Sequence, residues 1–476
     1  MSPFRNAASG GSALSLLSPT SPREGDRLTF RWTTDAPHAK NWIGIYDGDR
    51  RPGVGSSLVW SYVTDASGDT TLDTTGLGEG TYTAYLLAKD GYDILARTEP
   101  FTVAFRPPVT PPHCAVDSFT TGACAPGTRV SVALGPLWIR PEGNASGTPS
   151  FRRLTGDSWL GVSSDGKVTG IASAGPRSRP ARITVAVKDS AGGTDTVTVQ
   201  VPVRPVSARP RLTVASLNLW DAAGNVADAH EKLLRLILGQ GLDAVALQET
   251  GGTAARPLAD ALGWHACDSA AGVGLNSRFP LSEIASPPTA DVPAVAATLR
   301  LPGGRNVRLW GAQLDEAAYG PYALRAGRTP AEVEAAELGT VRHRQTGALL
   351  AAMRSDLAAS RTAPVILAAG LASPSHLDRK GRGAVRWPVT VALGRAGLTD
   401  AFRDEHPNAA REPGVTWSPA RGDEPQDRID QVQYAGPLRV EGAYTLCTGW
   451  PRPVPDTAGN SWPSDHAAPA VTFSLR

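Results

Sequence analysis

Four short groups of polar residues have the types and spacing to do chemistry together: Asn218, Gln248-Glu249, Asp427-Arg428-Ile429-Asp430 and Ser464-Asp465-His466. Carboxylates and an amide at the ends of neighbouring strands can hold a hard divalent cation such as Mg²⁺, which takes oxygen ligands and keeps several waters. A histidine next to a carboxylate, oriented by a second aspartate, can act on a phosphoryl oxygen. None of these groups is diagnostic alone, because an Asp-His dipeptide is most often a structural or solvated pair. Their meaning depends on whether one fold brings them to one place.

The elements around them have the pattern to do so. Arg211 to Trp220 reads as a strand, and Asp228 to Gly241 as a helix with Asp228 as N-cap, Leu233, Leu234, Ile237 and Leu238 on one face and glycine near its end. Asp243 to Glu249 is the next strand. Thr329-Pro330-Ala331-Glu332 is a capping box with proline at the first helical position, and it predicts a helix running past Met353. Strands alternating with helices predict a layered α/β domain.

Upstream the pattern is different. Two proline-rich seams, 106–112 and 202–210, divide the chain, and stiff extended segments of this kind separate folding units. The predicted units are 13–105, 113–204 and 211–476. In the first, short alternating runs such as Leu28 to Trp32, Asn41 to Tyr46 and Tyr82 to Ala88 read as a β-sandwich, with the aromatics of 41–47 as core. In the second, Ser158 to Gly170 carries an Asp165-Gly166 hairpin signal, and Arg182 to Val203 forms two long strands about a Gly-rich turn. This second stretch resembles immunoglobulin-like or cadherin-like modules, which implies a spacer or adhesion unit. Neither unit carries a catalytic constellation.

From 211 to 476 the polar groups, taken in order, resemble the endonuclease/exonuclease/phosphatase (DNase-I-like) superfamily. The resemblance rests on SLNLW (Ser216 to Trp220), ALQE (Ala246 to Glu249), GVGLNSRFPL (Gly272 to Leu281), GLTDAFRDEHP (Gly397 to Pro407), PGVTW (Pro413 to Trp417), the RID element at 428–430 and the closing PSDH at 463–466. It implies a four-layer αββα sandwich and a metal-dependent phosphoesterase. It also implies Mg²⁺ or Mn²⁺ held by Asn218, Glu249 and Asp465, with His466 on the scissile phosphate and Asp430 orienting it. Tyr319 and Tyr322 would line the substrate cleft, and Arg379 and Lys380, with Arg382 and Arg386 nearby, would recruit an anionic group.

Three positions depart from the family pattern. The phosphate-contacting histidine is Gln313, within Ala312-Gln313-Leu314-Asp315. The family's Gly-Asp-Phe-Asn element reads Ala369-Gly370-Leu371-Ala372, so the water-activating aspartate is Gly370 and the transition-state asparagine is Ala372. Ser373-Pro374-Ser375-His376 continues the motif in register. A positioned general base contributes about 10²–10⁴ in rate and a preorganised donor about 10²–10³. Losing both, with the histidine, should cost at least ~10⁴. Gln313 can still donate a hydrogen bond but cannot titrate.

The expectation is therefore two β-sandwich modules followed by a phosphoesterase fold with a degenerate hydrolytic centre. Such a protein would be a pseudoenzyme or ligand-binding protein, with a small-molecule or phosphorylated ligand. Two alternatives remain: a slow or repurposed Mg²⁺-dependent enzyme, and an adhesion-type protein acting through the β modules. A formal charge of +2 excludes a partner held by bulk electrostatics, and no strong nucleic-acid signature is present. No run approaches the ~18 apolar residues of a membrane helix. The N-terminal stretch lacks the apolar core of roughly 7–15 residues that a signal peptide needs, although the β modules suggest secreted ancestry. Cys114 and Cys124 either close a loop as a disulfide or stay thiols, depending on compartment.

Overall fold

A computed structural model describes residues 11–23, 26–48, 50–54, 57–73, 77, 80–104, 111–141, 144, 147–173, 179–205, 210–287, 291–378, 384–447 and 462–476. Most of the first proline seam and part of the second lie outside these residues. The chain divides into two compact units, Met1–Thr110 and Pro111–Arg476.

The first unit is built from two antiparallel sheets. Arg27–Thr33 lies between Ala13–Ser18 and Ser67–Asp73 in one; Trp42–Asp47, Val59–Tyr62, Gly80–Leu87, Ile94–Arg97 and Phe101–Val103 form the other. Leu28, Phe30 and Trp32 alternate inward and meet Ile43, Ile45 and Leu86 in one apolar core. Because side chains alternate along a strand, Trp42 and Tyr46 fall on the opposite face. There they pack with Tyr85 and Leu87 in a small cluster of their own.

The second unit joins the remaining β strands to the α/β region. Residues 113–204 contribute a sheet of Ser118–Thr120, Thr194–Val201, Ala181–Asp189 and Pro149–Gly156, and a second of Arg129–Ala133, Lys167–Ile171 and Leu160–Val162. The Asp165-Gly166 turn joins the last two strands, with Gly166 at φ +88°. Although the sequence separates 113–204 from 211–476, Phe119, Val185 and Val199 belong to the same buried cluster as Leu217, Leu233, Ile237 and Leu258. The contact also has a polar part. His113 Nε2 lies 2.8 Å from Glu231 Oε1, and Arg235 Nε donates to the Ala115 carbonyl at 2.8 Å. All four cysteines are free thiols, and burial pushes Cys114 up to about 12.

In the α/β region the elements are β1 Arg211–Asn218, α1 Ala229–Gly239, β2 Ala244–Gln248, α2 Ala255–Leu262, β3 His265–Asp268, β4 Gly274–Ser277, β5 Leu281–Ala285, β6 Ala294–Leu301, β7 Arg305–Gln313, α3 Gly320–Arg325, α4 Pro330–Glu337, α5 Val341–Ala359, β8 Val365–Gly370, α6 Pro388–Arg395, β9 Thr399–Asp400, α7 Ala401–Glu405, β10 Asp430–Ala435, β11 Leu438–Leu446 and β12 Ala468–Leu475. Two six-stranded sheets result, ordered β3-β4-β2-β1-β12-β11 and β5-β6-β7-β8-β10-β9. Val214, Ala246 and Phe473 of one sheet meet Leu309, Ala368 and Val432 of the other in a shared core. Helices α1 and α2 cover the outer face of the first sheet, and α5 and α6 that of the second. No described helix is long and apolar enough to cross a membrane.

Two helix expectations change. Asp228 sits at the N-cap of α1 but has φ +51° and makes no side-chain cap. The helix opened by the Thr329 capping box ends at Glu337, and α5 starts anew with Thr340 accepting from the His343 N–H. The break is held by a fully buried ion pair: the Arg342 guanidinium meets Glu337 at 2.5 Å and donates to the Ala317 and Ala318 carbonyls. A continuous helix would carry Arg342 away from those carbonyls.

The His113–Glu231 pair makes the docking of the β strands on α1 pH-dependent. The hydrogen bond to Glu231 raises the His113 pKa, despite partial burial. Its stabilisation is fully present below the unfolded value of about 6.5 and is lost as pH rises through the higher folded value. Thermal unfolding of native chain and His113→Gln should therefore differ most below about pH 6.5 and converge toward alkaline pH.

Candidate functional site

Strand ends converge on one rim. In the first sheet Asn218 is paired in register with Gln248; in the second, Gln313 is paired with Gly370, and Gly370 with Asp430. Asp465 and His466 immediately precede β12, beside β1. Ser464 Oγ ties them to this rim by donating to the Asn218 carbonyl at 2.7 Å.

Beyond β1 the chain makes an unusual turn: Trp220, Asp221, Ala222 and Ala223 all have positive φ, between 50° and 66°. Left-handed conformation costs a non-glycine residue about 1–2 kcal/mol. The turn is held by acceptors from the rim. Asn218 Oδ1 accepts from the Trp220 N–H at 2.7 Å, and Glu249 Oε2 from the Asp221 N–H at 2.8 Å. Asn218 Nδ2 in turn donates to Glu249 Oε1 at 2.8 Å.

Gln313 clamps the same glutamate reciprocally. Its Nε2 donates to Glu249 Oε1 at 3.1 Å while its Oε1 accepts from the Glu249 backbone N–H at 3.2 Å, with Glu249 at φ +54°. Because each amide oxygen faces a backbone N–H, the orientation of both amides is determined by the network. The Glu249 carboxylate thus receives three hydrogen bonds from neutral donors.

Across the cleft, His466 Nδ1 donates to Asp430 Oδ2 at 2.8 Å, an arrangement that leaves Nε2 turned away from Asp430. Burial pulls this imidazole toward its neutral form, but Asp430, with Asp465 and Glu249, outweighs that and raises its pKa. Thr416 Oγ1 fixes the start of β10 by accepting from the Ile429 and Asp430 N–H groups, each at 2.9 Å. Trp417 packs against the His466 ring at 4.6 Å between centroids. The Oδ1 atoms of Asp430 and Asp465 are buried without hydrogen-bond partners, and burial pushes the Asp465 carboxyl up against the pull of His466 and Arg421.

A Cβ added to Gly370 would lie 3.3 Å from Asp430 Oδ1. Ala372 is buried at φ +48°, a conformation that asparagine tolerates far better than alanine.

The outer residues are more scattered. Tyr319 is buried and donates to Asp427 Oδ2 at 3.0 Å, while Tyr322 is exposed and bonded to Glu424 at 2.5 Å. Both hydroxyls are thus engaged by loop acids. Arg379, Lys380 and Arg382 lie outside the described residues. Of the neighbours that the structure brings to the cleft, only Arg421 lies outside the groups and motifs quoted above. Trp220, Trp417 and Arg421 meet at the cleft, and Arg428 organises the loop behind it. The buried Arg428 guanidinium bridges Asp378 at 2.7 Å and Asp400 at 2.6 Å, joined by Arg403 on Asp378 at 2.7 Å. This lattice positions Ser375, whose Oγ donates to Asp400 Oδ2 at 3.0 Å. Both tryptophans and Arg428 lie inside the quoted motifs, but only folding reveals their partners.

A divalent cation fits these residues poorly. Asn218 turns its amide nitrogen, not its oxygen, toward Glu249, and the glutamate's charge is met by the neutral donors of Asn218, Gln313 and Asp221. Among the described residues no group of three or more His, Cys, Asp or Glu side chains is arranged to hold a metal ion.

No protein-family model matches the chain. An uncharacterised Caenorhabditis elegans protein, F14F9.5, is 29% identical over 306 residues, covering 56% of this chain and 91% of its own length. In structure the chain is similar to an endonuclease/exonuclease/phosphatase family protein from Bacteroides thetaiotaomicron, with 15% identity, a TM-score of 0.40 and coverage of 57% of this chain and 100% of that one. It is also similar to an endonuclease/exonuclease/phosphatase from Beutenbergia cavernae, with 17% identity, a TM-score of 0.38 and coverage of 56% and 72%. A third is the AP endonuclease of Leishmania major, with 13% identity, a TM-score of 0.39 and coverage of 56% and 88%.

The strain at position 372 is directly measurable. Ala372→Gly relieves the left-handed penalty but adds unfolded-state entropy, for an expected net gain of about 0.5–1 kcal/mol in denaturant unfolding. A loss of stability would mean that the methyl packing outweighs the backbone strain.

Proposed function

We propose that this chain is a phosphoesterase-fold protein whose cleft binds a ligand without hydrolysing it. The observation that carries the reading is the register row Gln313, Gly370, Asp430. Where an in-line attack by water needs a base, the middle strand of that row ends in a residue with no side chain. Ala372, two residues on, offers no donor to developing charge. What survives, the Asp430–His466 pair and the Asn218–Glu249–Gln313 cluster, can orient a bound group. Without a base and a preorganised donor, it lacks the groups that supply the larger factors in rate. The sequence resemblance across 211–476 supports the phosphoesterase ancestry, and the mismatch of Glu249's partners with a cation supports the loss of its chemistry.

A second reading, adhesion through the first β unit, is favoured by one feature. Trp60, Tyr62 and Tyr92 stand 47–55% exposed around the edge of Trp42. Contiguous exposed aromatics of this kind mark interaction surfaces.

Hydrolysis of bis(p-nitrophenyl) phosphate with Mg²⁺ or Mn²⁺ separates binding from catalysis. The native chain should stay at background, and the Gln313→His/Gly370→Asp/Ala372→Asn triple variant should gain metal-dependent turnover. Because Gly370→Asp sets a second carboxylate against Asp430, Mg²⁺ should also raise the melting temperature of the triple variant more than that of the native chain. Turnover by the native chain that Glu249→Ala abolishes would defeat the proposal. For adhesion, Trp60→Ala/Tyr92→Ala should lower adsorption to insoluble polysaccharide; equal adsorption, or none by the native chain, counts against it.

A further inference from the structure

At the cleft, the Arg421 guanidinium carbon lies 5.6 Å from the Trp220 ring centroid and 5.8 Å from that of Trp417. Its Nη2 atom is 3.7 Å from Asp465 Oδ2, beyond hydrogen-bond length. The arginine side chain is 44% exposed, whereas that of Asp465 is 5% exposed. A cation held by two ring faces and a carboxylate is an aromatic cage.

Three features say that this cage is built and incompletely filled. Asp465 Oδ1 is buried with no hydrogen-bond partner, and Oδ2 meets Arg421 only at 3.7 Å, so carboxylate and guanidinium are not closely matched. Trp220 is presented by four successive left-handed residues, a conformation stabilised by Asn218 and Glu249. Strain of that kind persists where surrounding structure over-determines it, and it clusters at ligand clamps. Trp417 is oriented by its packing on His466, whose Nδ1 is anchored to Asp430. The rim residues that resemble a metal site thus act here as supports for an aromatic wall.

We propose that Trp220, Trp417 and Asp465 form a site for a guanidinium group, with Arg421 as its intramolecular occupant and an arginine-bearing ligand as its external one. Guanidinium suits the site better than ammonium, because it is planar, stacks on aromatic faces and matches both oxygens of a carboxylate. An external guanidinium, free of the loop backbone, can close to hydrogen-bond distance on the Oδ2 atom that Arg421 meets only at 3.7 Å. No phosphate is needed for recognition, and the Asp465 carboxylate between the two rings favours a cation there. The inference rests on the cleft being a binding site and names the chemistry of what it binds.

The test uses the full chain and calorimetric titration with Nα-acetyl-arginine amide, with the neutral isostere Nα-acetyl-citrulline amide as control. Arg421→Ala empties the cage, so it should bind the arginine amide roughly tenfold more tightly than the native chain, equivalent to displacing the two ring contacts. Adding Trp417→Ala should abolish the gain, whereas Trp417→Phe should keep part of it, and far-ultraviolet circular dichroism checks that each variant is folded. Equal affinity of native chain and Arg421→Ala, equal binding of citrulline amide, or a gain that survives Trp417→Ala would overturn the site. Since no phosphodiester enters the experiment, hydrolysis by the native chain would defeat the functional reading without touching this result.

Discussion

The Glu249 carboxylate is the interaction on which the cleft depends. Asn218 reaches it from β1, Gln313 from β7 and the Asp221 N–H from the left-handed turn, so one side chain joins both sheets and a loop. Hydrogen bonds to a charged acceptor are stronger than neutral pairs, and three of them in a half-buried site hold all partners in one geometry. A cation would need the same lone pairs and would turn the Asn218 amide around. Gln313 supplies a donor to the carboxylate and an acceptor to the backbone N–H in the same residue.

Electrostatics distribute the remaining charge along two lines. Asp430 holds His466 from within the second sheet, while Asp465 faces Arg421 between two tryptophans. Behind them, Arg428 and Arg403 neutralise Asp378 and Asp400 and hold the loop after β8. Ala372 in that loop adopts a positive φ. The backbone there has a shape that an asparagine would adopt at lower cost.

Much of this was legible from the residues alone, for identifiable reasons. Asn218, Glu249, Asp430, Asp465 and His466 sit next to hydrophobic strand cores, so their position at strand ends follows from local pattern. The Thr329 capping box is likewise local, and it forms with both of its hydrogen bonds. The course of the next helix is not local: Gly339, Thr340 and the buried Arg342–Glu337 pair break it because carbonyls from 315–318 need the guanidinium. Trp220 and Trp417 were visible as letters in their motifs, but aromatic residues next to strands are commonly core. Arg421 lies in a loop with no periodicity to read.

The proline seams, alternating strands and strand–helix alternation led to the division into β regions and an α/β region, whereas Gly370 and Ala372 stand out only through the family resemblance. The seams and alternations are properties of short windows, set by backbone propensity and side-chain period. Tertiary structure alone decided that residues 113–204 share a buried core with α1 and α2, and that Asn218 and Glu249 spend their polar atoms on a strained turn. It alone also brought the Arg421 guanidinium between two indoles, Trp220 and Trp417, that lie 201 and 4 residues before it in sequence. A sequence carries no distance between residues so far apart until sheet register and packing impose one, and the partners of a buried polar group are chosen by that distance.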